Sequence, residues 1–315
     1  MEHRCLHCYD FLSESEVDYH VSCIKAFFNQ SEAPVLHFDF SEMEKLAEQV
    51  ALQSISVPGV QPKLSLGWIK NDIEDGHKFR LTIMNALDGL YIMKPPNSKY
   101  PEMPENEHLS MCLAKLFKIE IVPVSLIRLR SGELCYITKR IDRKIKGGKI
   151  HMIDFLQITE LENKYKGTME GLGKKIGDLS QNEMHDKLRF FELTVFNYLI
   201  GNNDMHLKNF SMYLSDLGWV LSPAYDMLNV KLILPQDPED TALMLGGKKM
   251  NFNKKYFDRF AAVLKLNRIQ MQAVYARVGK WFPQAVELIG KSFLSDEYKI
   301  QYLNLLKERV VIFNP

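Results

Sequence analysis

The hydrophobic period changes near residue 150, and this change limits what the chain can fold into. Before it, short stretches alternate apolar and polar residues at the period of a strand: LSLGWI (64–69), FRLTI (79–83), LYIMK (90–94), VSLIRL (124–129) and LCYITKR (134–140). One helical pattern interrupts them, ENEHLSMCLAKLFK (105–118), and a shorter one over 41–51 precedes them. After residue 150 the period is helical: DFLQIT, LRFFELTVFNYLIG, NKKYFDRFAAVLKL, IQMQAVYARVGKWF and YKIQYLNLLKERVV, with one hairpin pattern in FSMYLSDLGWVLSP. A strand-rich part followed by a helical part is an α+β, two-lobed organisation. With 315 residues, 46% of them hydrophobic, the chain can bury a core of that size.

Charge and targeting signals exclude other classes. The formal net charge is +1, far from the basic balance of a protein that grips nucleic acid directly. No run of about 18 apolar residues exists to span a membrane. The N-terminal MEHRCLHCYDFL lacks the apolar stretch of a secretory signal, so a cytoplasmic protein is expected. Five cysteines, an odd number, argue against a disulfide framework. Three of them fall in the first 23 residues, where Cys5 and Cys8 form C-x2-C and His20 and Cys23 form H-x2-C. Four such ligands can surround one tetrahedral Zn2+, tying down a unit too small for its own core. Partly buried cysteines beside an unrelated histidine give the same pattern. The expected domains are a Cys/His module over 1–30, a strand-rich lobe over 31–142 and a helical lobe over 143–315.

The segment GNNDMHLKNF (201–210) directly follows the apolar run FFELTVFNYLI and crowds polar side chains against it. Asp204 and Asn209 stand as D-x4-N, and Asp226 follows 22 residues after Asp204 in SPAYDMLN. Upstream, Lys94 ends a strand pattern and Glu107 sits on the interrupting helix. Phosphoryl transfer from ATP uses these parts: a lysine for the phosphates, an acid that holds it, a base for the attacking hydroxyl, and an asparagine and a second aspartate for Mg2+. Each residue alone is equally a solvated loop residue; the order and the D-x4-N spacing carry the reading. Neither G-x-G-x-x-G nor D-F-G is present.

SVPGVQPKLSL, YIMKPP, ENEHLSMCLAKLFKIEIVPV, TKRIDR, LIGNNDMHLKNF and LSPAYDMLN, in this order, resemble the signature segments of HipA-type serine/threonine kinases, the toxins of HipA–HipB toxin–antitoxin systems. The resemblance covers about residues 50 to 265. The short stretch before its first segment resembles HipT, the kinase of split HipBST systems, in which the small protein HipS corresponds to a further subdomain. The Cys/His module is not part of the pattern.

The resemblance implies a bilobal protein-kinase-like fold and the following roles. Asp204 is the catalytic base, Asn209 and Asp226 hold Mg2+, and His206 orients the loop, a place that a purely structural histidine also fits. Lys94, held by Glu107, contacts the nucleotide. Val57, Pro58, Gly59, Val60 and Gln61, with Lys63 behind them, stand in for a glycine-rich phosphate loop. Lys139 and Ile141 fall at the adenine-contacting hinge. Ser56 or Ser54 is autophosphorylated, which adds about 1.5 to 2 negative charges beside the phosphates and repels ATP. The implied partners are a HipB-like DNA-binding antitoxin, a HipS-like small protein, and a protein substrate such as an aminoacyl-tRNA synthetase. Two other readings use the same residues: a kinase of a small molecule, and a non-catalytic module that keeps the fold only to bind. Retention of Lys94, Asp204, Asn209 and Asp226 together speaks against the second.

Overall fold

The computed structural model describes residues 3–53, 63–70, 79–84, 89–144 and 147–313. The chain divides into two compact units. The first comprises Met1–His108, Val122–Ile145 and Lys291–Phe293; the second comprises Leu109–Ile121, Lys146–Gly290 and Leu294–Pro315.

The first unit holds helices α1 (Val21–Phe28) and α2 (Phe40–Gln53) and strands β1 (Leu64–Lys70), β2 (Phe79–Ile83) and β3 (Tyr91–Lys94). It also holds the first turns of α3 (Met103–Leu116), then β4 (Val124–Arg128) and β5 (Leu134–Lys139). The strands form one antiparallel sheet in the order β2-β1-β3-β5-β4. All five strand patterns of the sequence are therefore strands. Alternation sets the buried face of β1, where Leu64 and Leu66 are 2% and 0% exposed. β4 and β5 are buried almost throughout, which suits strands covered on both faces. Lys94 lies opposite Tyr136 in the β3–β5 ladder, and two prolines after it end the strand, since proline brings no ladder N–H. Both outer strands meet further chain. Val35 bridges Arg80 of β2, and Leu6 accepts a 3.1 Å hydrogen bond from the N–H of Leu126 in β4. An unpaired strand edge is a template for aggregation, so this cover matters.

The second unit holds β6 (Met152–Asp154), α4 (Phe155–Thr159), α5 (Met169–Leu179), α6 (Glu183–Ile200), β7 (Ser211–Ser215), β8 (Gly218–Leu221), α7 (Lys254–Val263), α8 (Arg268–Lys291) and α9 (Asp296–Val310). Its small sheet runs β6-β7-β8, with β7 and β8 forming the expected hairpin. α6 is buried continuously from Phe190 to Ile200, and its polar residues there are satisfied: Thr194 and Asn197 donate to the Phe190 and Leu193 carbonyls, and Glu192 pairs with Arg277. Its rings interlock with their neighbours: Phe190 and Phe191 meet Phe260, and Phe196 meets Phe117 and Trp281. Among the described residues no helix is long and apolar enough to cross a membrane.

Candidate active site

In the first unit, Lys94 Nζ makes a 2.5 Å ion pair with Glu107 Oε1, and the two side chains are only 6% and 2% exposed. The ammonium also lies 5.3 Å from the centre of the Tyr136 ring, its ladder partner. Taking two charges out of water costs about as much as their attraction returns, so such a pair is weakly explained by stability alone. It places a positive charge at the end of β3.

In the second unit, the segment after α6 is held by its own carboxamides. Gly201 ends the helix with φ +74, a conformation that side chains disfavour, and donates its N–H to Tyr198. Asn202 returns its amide to Asn197 Oδ1 at 2.8 Å and accepts the N–H of Asp204 at 3.2 Å. Asn203 donates to Asp237 Oδ2 and to the Glu239 carbonyl. The two amides therefore fix the segment itself, tying it to the Asn197 side chain and to Asp237 and Glu239, while backbone N–H groups of Gly201 and Asn202 close the end of α6.

Asn209 donates its amide nitrogen to the Asp204 carbonyl at 3.0 Å, spanning the D-x4-N segment. This commits the nitrogen and leaves the amide oxygen as the donor toward a cation. Asp226 adopts φ +55. The residue before it is pinned to the same segment, with Tyr225 Oη 2.5 Å from Ser211 Oγ and 3.1 Å from the Lys208 carbonyl. Asn209 and Asp226 thus offer hard oxygen donors, the set that suits Mg2+.

His206 is buried, and its Nδ1 meets no hydrogen-bond partner among the described residues. Burial depresses its pKa to about 4, while the charges of Asp204 and Asp226 pull the other way. Both carboxylates therefore act on one imidazole, and the ring is neutral at pH 7. Tyr165 donates a 2.8 Å hydrogen bond to Asp204 Oδ1 and packs its ring edge-on against His206 at 5.2 Å. Burial, and then the Asp204 charge, push the phenol well above its ordinary value, so it stays a donor. The sequence reading missed Tyr165, because it lies 39 residues before Asp204 at no diagnostic spacing.

The remaining expected residues divide. Lys139 spends its backbone N–H on Pro123 and directs its ammonium to the Ala26 carbonyl at 3.5 Å and over the Phe27 ring. Ile141 lies in the turn after β5, and Lys63 is exposed just before β1. Ser54, Ser56 and the loop Val57, Pro58, Gly59, Val60 and Gln61 lie outside the described residues. Cys5, Cys8, His20 and Cys23 do come together, with their ligand atoms all within 4.8 Å of one another.

The fold is that of a bilobal α+β protein of the HipA kinase type. HipA from the Shewanella oneidensis MR-1 complex of HipA, HipB and operator DNA superposes with a TM-score of 0.68 at 19% identity, over 90% of this chain and 72% of that one. The proinflammatory kinase CtkA of Helicobacter pylori gives 0.51 at 16% identity, over 70% and 86%. The family of HipA-like C-terminal domains matches residues 55–286, and the chain belongs to it. Among curated relatives, Y4dM of Sinorhizobium fredii, a candidate kinase, is 35% identical over 205 residues, 60% of this chain and 48% of its own. The serine/threonine-protein kinase toxin HipA of Shewanella oneidensis is 27% identical over 258 residues, 74% of this chain and 56% of its own. The chain thus spans about half the length of these two relatives.

Proposed function

We propose that this chain is an ATP- and Mg2+-dependent serine/threonine protein kinase, the toxin of a toxin–antitoxin system and of the short HipT kind. The observation that carries the reading is the D-x4-N segment. Asn209 is folded back on Asp204, so one loop carries both a carboxylate for proton transfer and an amide oxygen for a metal.

The chemistry follows from these groups. Asp204 accepts the proton of a serine or threonine hydroxyl. The hydroxyl oxygen bonds to the γ-phosphorus of ATP, the bond from that phosphorus to the β–γ bridging oxygen breaks, and ADP leaves. Asn209 and Asp226 would hold Mg2+, which when bound would supply positive charge against the phosphates. Lys94 presents its ammonium to the phosphates, and Glu107 keeps it in place. Tyr165 orients the Asp204 carboxylate. His206, neutral and wedged under Tyr165, supports the loop without taking the proton.

The same reading places autophosphorylation at Ser56 or Ser54, beside a phosphate loop of Val57, Pro58, Gly59, Val60 and Gln61. The partners are a HipB-like antitoxin, as the assembly named for the Shewanella relative suggests, and a HipS-like small protein. The target is a protein such as an aminoacyl-tRNA synthetase, whose phosphorylation stops translation. The N-terminal cluster stands apart from this chemistry: three thiols and an imidazole suit a structural Zn2+, not the Mg2+ of phosphoryl transfer.

Intact-mass spectrometry with peptide mapping tests the reading. Wild type incubated with ATP and Mg2+ gains one or two phosphates, mapped to Ser54 or Ser56, and Asp204→Asn gains none. Equal gain in both proteins removes Asp204 from the chemistry. No gain in either, with ATP demonstrably bound, removes the autophosphorylation.

A further inference from the structure

The thiols of Cys5, Cys8 and Cys23 and the imidazole of His20 are built to hold a metal. Zinc bonds of about 2.3 Å to sulfur and 2.0 Å to nitrogen, at tetrahedral angles, put ligand atoms roughly 3.5–3.8 Å apart. Cys8 Sγ and Cys23 Sγ lie 3.4 and 3.8 Å from His20 Nδ1. The other ring nitrogen, Nε2, lies 3.0 Å from the Phe11 carbonyl. A carbonyl only accepts, so Nε2 carries the proton and Nδ1 turns its lone pair to the three sulfurs, as in metal-bound histidines. The backbone delivers these groups through tight turns, with Tyr9 at φ +67 just after Cys8 and Asp18 at φ +60 just before Tyr19 and His20. Arg4 and Phe11 pair as a bridge around the Cys5–Cys8 turn, His20 is the N-cap of α1, and Cys23 lies in its first turn.

What the cluster ties together is as informative as its ligands. Leu6, inside the C-x2-C turn, accepts the Leu126 N–H, and Tyr19, next to His20, donates its hydroxyl to the Leu126 carbonyl at 2.5 Å. The module thus covers the outer strand β4 from both of its ligand pairs. Tyr9, next to Cys8, places its hydroxyl 2.7 Å from His108 Nδ1, and both side chains are fully buried. His108 is the residue after Glu107 on α3. Phe27 and Phe28, at the far end of α1, pack on Tyr91 of β3, the strand that ends at Lys94.

We propose that Cys5, Cys8, His20 and Cys23 bind one Zn2+ with no open position, and that this metal clamps the N-terminal module onto the β4 edge and against the turn of α3 that carries Glu107. Two turns with little core of their own are joined at one point, and the groups that brace β4 and α3 sit one residue from the ligands. The metal closes the site completely, so it holds structure and performs no chemistry.

Metal analysis and hydrogen exchange on the full chain test the clamp, with no nucleotide present, so the outcome is independent of the kinase reading. Wild type purified without added metal carries one zinc per chain, and Co2+ replacing it gives a thiolate-to-cobalt charge-transfer band. Cys8→Ser loses the zinc, and Cys112→Ser, outside the cluster, keeps it. Stripping zinc from wild type with a chelator raises amide exchange by about tenfold or more in peptides covering 124–128 and 103–108, ahead of α6. The chelator arm keeps the test decisive if Cys8→Ser does not fold. Wild-type zinc no higher than that of Cys8→Ser overturns the metal site. Zinc at one per chain with exchange in β4 and α3 unchanged on its removal overturns the clamp.

Discussion

The hydroxyl of Tyr165 is hydrogen-bonded to Oδ1 of Asp204 at 2.8 Å, so one oxygen of the proposed base is already fixed before any substrate arrives. A hydrogen bond of this kind contributes about 1 kcal/mol, a few-fold in rate when it serves to orient the carboxylate. Tyr165→Phe is expected to lower kcat by about three- to tenfold with the KM for ATP unchanged. Steady-state kinetics over a range of ATP concentrations checks this. A rise in KM alone would mean that Tyr165 serves nucleotide binding instead.

The Lys94–Glu107 pair makes a prediction about stability and activity together. Lys94→Met leaves Glu107 buried without its cation, and the cost is about 3–5 kcal/mol. Adding Glu107→Leu removes the stranded charge and recovers most of that loss, while transfer stays absent. Urea denaturation of the two single variants and the double variant measures the stability; phosphate incorporation measures the rest. A double variant as unstable as Lys94→Met would show that packing, not charge, holds this site.

Two buried histidines set an acid limit. Burial depresses His206 to about 4 and His108 to about 3, against 6.5 for a free imidazole. The unfolded chain therefore binds protons that the folded chain refuses. Their contribution is fully present above pH 6.5 and is lost as pH falls through the window from 6.5 to 4 and below. His206→Asn is expected to flatten the fall in stability between pH 6.5 and 4, by up to about 3 kcal/mol over the window. Chemical denaturation at pH 7 and pH 4.5 checks the slope; parallel slopes in wild type and variant would contradict it.

Gly201 joins α6 to the D-x4-N segment at φ +74. A Cβ there would lie 2.6 Å from Leu305 Cδ2 and 3.0 Å from Asn229 Oδ1. Gly201→Ala is expected to lose about 1–3 kcal/mol through backbone strain, before any rearrangement of Leu305. Thermal or urea denaturation reads this directly. An unchanged midpoint would mean that the helix end moves freely.

Most of the architecture was legible in the sequence, because strands β1 to β5 and helices α6 to α9 each repeat their apolar residues at the period of their element. α1 and β6 were missed: eight and three residues are too short for a period to declare itself. α5 was missed because its three glycines, Gly171, Gly173 and Gly177, lower helix propensity, although its buried face of Met169, Leu172 and Ile176 is regular. The acids and amides of the proposed site were read from their order along the chain and the D-x4-N spacing, the pattern that phosphoryl transfer uses. Tyr165 could not, since its bond to Asp204 is made by the fold alone. The ligand set at the N-terminus was readable from spacing; its links to Leu126 and His108 were not, because they join residues 99 to 120 positions apart.

The most direct test of the account is single-turnover phosphate transfer by wild type and Asp204→Asn, with Mg2+-ATP binding measured by calorimetry on the same samples. The account predicts that Asp204→Asn binds Mg2+-ATP with affinity within a few-fold of wild type and transfers phosphate at least about 10²-fold more slowly, the scale of a lost general base. Transfer at the wild-type rate by Asp204→Asn would contradict it.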